Sequence, residues 1–163
     1  MKNITSLLAA TLTLTAASLI AEPTTEAPAT EAPATEKAEA KKADVEITVS
    51  GNDTLKFDTE LIEAKAGQTI QVTFKNTGKV VGHNIVFLNK GINGLIWSGK
   101  AVAAAATDYV PENSGKEVIA HSKVLAPGES EILTFTVKEA GEYPFVCSFP
   151  GHAGIMKGKV VVK

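Results

Sequence analysis

The chain has 163 residues, with 16 basic and 18 acidic side chains, a formal net charge of −2 and not one arginine. A nucleic-acid binder shows a basic surface and reads phosphate or guanine with arginine forks, so that class is excluded. There is a single cysteine, Cys147, and therefore no internal disulfide.

Met1 and Lys2 open a positively charged start, and Ile4 to Ile20 is an apolar or small run, interrupted only by Thr and Ser, that ends in Ala21. This is the form of a secretory signal peptide over residues 1–21, with cleavage expected after Ala21 or after Ala17. A retained membrane anchor is the competing reading, but the run is short and Thr-rich for a span. The mature protein is accordingly expected in the periplasm without a membrane span. No cysteine near the cleavage site could carry a lipid anchor.

Residues 22–43 are built from Ala, Pro, Thr, Glu and Lys, and Thr25-Glu26-Ala27-Pro28-Ala29 repeats as Thr30-Glu31-Ala32-Pro33-Ala34. Such a segment cannot bury enough surface to offset its ordering entropy, and regular proline stiffens it. It reads as a disordered, solvated linker. Residues 44–163 then make one domain with a single core. That domain is nearly neutral, with 13 acidic residues against 12 Lys.

Inside the domain, short alternating runs are separated by turn residues. Strands are predicted at Val45–Val49, Ile70–Phe74, Asn84–Leu88, Ile132–Val137, Tyr143–Cys147 and Lys159–Val162. Short strands at this spacing predict an all-β fold, a β-sandwich with Greek-key connections. One stretch differs. The alanine-rich run from Ala101 to Ala106 favours helix, and Ser98 can cap it. A short helix is therefore expected within Ser98–Tyr109, inside a long connection from about Asn89 to Lys116.

Chemistry concentrates in Cys147-Ser148-Phe149-Pro150-Gly151-His152-Ala153-Gly154-Ile155-Met156. A lone thiol in an exported chain needs a use: metal ligation, reactive chemistry, an intermolecular bridge or plain burial. Thiolate with thioether selects a soft ion, and two His with one Cys and a weak axial Met is the donor set of blue copper. The second histidine is either His83, at the mouth of a predicted strand, or His121. Spacing favours His83 without excluding His121.

Val81-Gly82-His83-Asn84, Cys147-Ser148-Phe149-Pro150-Gly151-His152 and Met156-Lys157-Gly158 together resemble the azurins, a family of blue-copper cupredoxins. The resemblance covers nearly all of the domain, including Ser50-Gly51-Asn52-Asp53, Asp108-Tyr109 and Ile119-Ala120-His121-Ser122-Lys123. The C-x4-H-x3-M spacing is the specific part. The resemblance implies an eight-stranded cupredoxin sandwich and one copper ion held by His83, Cys147 and His152. Met156 is then an axial neighbour and the Gly82 carbonyl a more distant one, while His121 is no ligand. It further implies that Asn84 ties the ligand loops together, and that the amides of Asn84 and Phe149 face the Cys147 sulfur. An apolar patch of Val80, Val81, Phe149, Pro150, Ala153 and Ile155 would surround His152 and meet redox proteins such as c-type cytochromes or periplasmic reductases. The chain departs from azurins in lacking their disulfide, in having Asn76 where a buried His is frequent, and in having Ile85 for a Trp.

Two rival functions use the same residues. In one, Cys147 is a nucleophile activated by His152. In the other, the chain is a copper chaperone or store, although that role favours exposed Met or His clusters and residues 22–163 hold only Met156.

Overall fold

The computed structural model describes residues 42–163; the signal-peptide reading and all but the end of the linker lie outside them. Among the described residues, eight strands form two sheets: β1 (Val45–Gly51), β2 (Leu61–Ala64), β3 (Thr69–Asn76), β4 (Val86–Leu88), β5 (Val118–His121), β6 (Ser130–Thr136), β7 (Gly141–Val146) and β8 (Lys157–Val162). One sheet has the order β1-β3-β6 and the other β2-β8-β7-β4-β5. β1 runs parallel to β3 and β2 parallel to β8, and the other pairings are antiparallel. β2 and β5 were not among the predicted strands. β2 has only four residues, with Leu61 exposed and Ile62 buried, too short for its alternation to stand out.

In β3, every second residue from Ile70 to Asn76 is buried, so one face of the three-stranded sheet turns inward. The core between the sheets is aromatic, with Phe57 edge-on to Phe74 and Phe145, and Phe87 packed on Phe135 and Phe145. β4 is buried at every position. Phe87 faces the central core, whereas Val86 and Leu88 join Trp97, Ala101, Val110, Val146 and Ala153 in a second cluster. A strand covered on both faces has no polar side to show.

The cover over that second cluster includes a helix, α1 (Gly94–Ala101), which lies in the expected connection but begins earlier than the alanine run. Its cap is Asn93, whose side chain accepts from the Ile96 amide at 3.1 Å. Ser98 sits inside the helix and donates to the Leu95 carbonyl instead. Beyond Ala101 the chain makes only a short 3-10 turn at Ala105–Thr107. Propensity lost here to tertiary packing, because Trp97 and Ala101 must reach the sheet. Among the described residues, no helix is long and apolar enough to cross a membrane.

The register sets where chemistry can occur. Gly51 pairs with Asn76, Lys75 with Ser130, Val86 with both His121 and Val146, and Val146 with Lys157. The C-terminal ends of β1, β3, β5 and β7 therefore share one end of the sandwich with the starts of β4, β6 and β8. The segments containing His83 and Cys147–Met156 both lie there.

Candidate metal centre

Each donor is delivered by a different constraint. His83 precedes β4 and is fixed by a two-way backbone bridge with Leu125, at 3.1 and 2.8 Å. The loop leading to it is held by Asp53, whose carboxylate accepts from the amides of Lys79, Val80 and Val81. Those amides, Lys79 foremost, hold the Asp53 carboxyl below its ordinary value. Asn76 clamps the same loop from inside: its side chain is buried and donates to the carbonyls of Val81 and Leu125. Gly82 lies between these anchors because a Cβ there would press on Val124.

The second loop is wound tightly. The His152 amide donates to the Phe149 carbonyl, and the His152 carbonyl accepts from the amides of Ile155 and Met156. Gly151 takes a left-handed φ of 85°, which glycine adopts without steric cost. The Cys147 amide donates to the Met156 carbonyl at 3.0 Å, so both ends of the loop close against each other. Asn84 joins the two loops: its Oδ1 accepts from the Ser148 amide, and its Nδ2 donates to the Ser148 hydroxyl, each at 2.8 Å.

The result brings His83, Cys147 and His152 together, with donor atoms all within 4.8 Å of one another. Both Nδ1 atoms turn toward Cys147 Sγ, at 3.9 Å for His83 and 3.5 Å for His152. Met156 is completely buried in the cluster that contains Cys147, with its methyl group against Gly51. His121 is not in the donor group; it is exposed on β5, and its Nδ1 lies 3.2 Å from the Ser122 carbonyl.

Electrostatics in this pocket are unfavourable for protein alone. Burial pushes the Cys147 thiol up to about 11, opposed by the amides of Asn84 and Phe149 that face the sulfur. Burial lowers both imidazoles, and the charge of His83 lowers His152 further. Asp53 and the Asn52 carbonyl favour a charged His83, yet its buried Nε2 meets no acceptor in hydrogen-bond geometry. Two neutral imidazoles and a soft sulfur therefore converge with no carboxylate among them. That set fits a thiophilic transition metal such as copper, and a cation is what would make the thiolate favourable.

The comparisons with known proteins agree. The family model described as copper binding proteins, plastocyanin/azurin family, matches residues 43–163. The azurin of Alcaligenes faecalis is 35% identical over 123 residues, 71% of this chain and 95% of that protein. Outer membrane protein H.8 of Neisseria meningitidis is 38% identical over 123 residues, 71% of this chain and 66% of that protein. Among solved structures, the dithionite-reduced auracyanin of Roseiflexus castenholzii superposes with a TM-score of 0.68 at 37% identity, covering 75% of this chain and 99% of that one. On its sequence, its two-sheet fold and its buried donor cluster, the chain belongs to the plastocyanin/azurin family of copper-binding proteins and is a cupredoxin.

Proposed function

We propose that this cupredoxin is an exported, periplasmic electron carrier that binds one copper ion through His83, Cys147 and His152. Met156 and the Gly82 carbonyl would contribute weaker contacts to it. Copper, when bound, supplies a one-electron couple between Cu(I) and Cu(II). The chain's own part is to hold the donors still and dry. The observation that carries the reading is three buried donors within 4.8 Å on two loops cross-tied by Asn84. Loops tied together in this way would hold the donors in place through a change of oxidation state, which would keep reorganisation small.

The rival readings fit the geometry less well. A nucleophilic cysteine needs a lowered pKa and access to substrate, whereas Cys147 is fully buried and its thiol is raised. A copper chaperone needs exchangeable donors, and none of these lies open to solvent.

His152 is the electron port in this reading, since it is 6% exposed while His83, Cys147 and Met156 are at 0%. Val80 and Ile155 are exposed, and Val81, Phe149 and Pro150 are half-buried, giving an apolar surface for redox proteins such as c-type cytochromes or periplasmic reductases. Ala153, placed in that patch by resemblance, is instead buried against the cluster beneath α1.

Copper-loaded, oxidised protein should absorb intensely in the visible through sulfur-to-copper charge transfer, and Cys147→Ser should abolish the band while the sandwich stays folded. A blue Cys147→Ser protein would end the assignment. Ile155→Lys should slow electron self-exchange without altering the visible spectrum, because it sets like charges face to face at the port. An unchanged rate would move the exchange surface elsewhere.

A further inference from the structure

Asp108 and Tyr109 are the one consecutive pair of non-glycine residues with left-handed backbone among the described residues, at φ 56° and 58°. An L-residue avoids this region because its Cβ crowds the backbone, and a bulky side chain such as Tyr is an outlier there. Two in a row persist only where the surroundings over-determine them. Three hydrogen bonds do so here. Asn84 Nδ2 donates to the Asp108 carbonyl at 2.8 Å, the Val124 amide donates to Asp108 Oδ1 at 2.9 Å, and the Tyr109 amide donates to the Ala104 carbonyl at 2.9 Å.

The turn aims a ring. Tyr109 meets Phe149 edge-on, with centroids 5.2 Å apart and planes at 70°. Phe149 in turn packs on His152 at 4.8 Å and 40°. The same Asn84 that holds the turn also holds Ser148, the residue before Phe149. The Tyr109 hydroxyl makes no hydrogen bond among the described residues, so its packing comes from the ring alone.

We propose that Tyr109 is a positioning residue for His152: the left-handed turn presses its ring onto Phe149, which fixes the imidazole in one orientation before any metal arrives. The importance of that orientation for electron exchange rests on the function proposed above; the orientation itself does not. His83 needs no such prop, because its backbone bridge to Leu125 and its complete burial hold it.

The test measures ring relaxation and exchange broadening of the His83 and His152 imidazoles by NMR in metal-free protein, and electron self-exchange in copper-loaded protein. Tyr109→Phe should match the wild type in both, since it keeps the ring. Tyr109→Gly and Tyr109→Asn both tolerate the left-handed turn and remove the ring. They should broaden His152 but not His83, and slow self-exchange by about tenfold or more. Unchanged His152 signals would overturn the proposal. So would equal broadening of both histidines, or unfolding of both variants, because the ring would then support the fold rather than the ligand. If the wild type itself binds no copper, the reading of the site fails while the metal-free imidazole measurement still decides the role of Tyr109.

Discussion

Gly51 shows how one missing side chain shapes the centre. It ends β1, and a Cβ there would collide with the Met156 methyl while lying in ordinary contact with Phe74 and His83. The obstacle is the far end of a flexible side chain, so Gly51→Ala should displace Met156 rather than unfold the sandwich. Overpacking of this kind costs about 1–3 kcal/mol. The expected outcome is a shifted Met156 methyl resonance in metal-free protein, with a changed visible spectrum and potential once copper is loaded. A methyl resonance at its wild-type position would show that Gly51 does not set the thioether. Asn76 works at the same scale. Its buried amide anchors the loop before His83 through two carbonyls, and an amide does not titrate, so this clamp holds at any ordinary pH.

The helix is the element whose placement is least obvious from its residues. Leu95 and Ile96 are 59% and 63% exposed, while Trp97 and Ala101 are buried. Apolar residues on both faces blur the 3.6-residue period by which a helix is recognised. What starts it is the Asn93 cap. Asn93→Ala should cost about 1 kcal/mol, seen as a drop of a few degrees in Tm, with the visible spectrum of copper-loaded protein unchanged because the donors lie on other loops. A cost near zero would mean that the packing of Trp97, whose indole N–H donates to Glu117, holds the helix unaided. The neighbouring alanine run has the propensity but not the contacts, and the left-handed Asp108–Tyr109 turn stops any helical continuation.

For the whole metal-free molecule, the donor group makes stability depend on pH at both ends. His83 and His152 have folded-state pKa values below their ordinary 6.5, so unfolding takes up protons as the pH falls. Their contribution is present above that value and lost as pH falls through it toward the folded values. Cys147 is raised from 9.0 to about 11, so its contribution is complete below pH 9.0 and lost as pH rises toward 11. Calorimetry of metal-free protein should give a plateau between about pH 7 and 9, with Tm falling on either side. Cys147→Ser should remove the alkaline fall and keep the acid one. A fall unaffected by that substitution would place the alkaline titration on other groups. Copper bound to the folded state alone should raise Tm throughout the plateau, and its removal by a chelator should restore the lower value.

Much of this was readable in the chain before any fold was known. The C-x4-H-x3-M run carries a thiol, an imidazole and a thioether so close together that local winding alone can gather them, and the alternation of β1, β3 and β6 marks strands with one buried face. Other features depend on contacts far apart in sequence. Spacing in the chain only leans toward His83 over His121; the sheet pairing buries His83 beside Cys147, 64 residues away, and leaves His121 exposed. Ala153, which the resemblance puts at the surface, lies instead in the buried cluster that contains Trp97 of α1. The strained Asp108–Tyr109 turn has little local signature: Asp tolerates left-handed backbone, but Tyr does not favour it. It exists because Asn84, Val124 and Ala104 converge on it, and such convergence is decided only when the loops at one end of the sandwich meet.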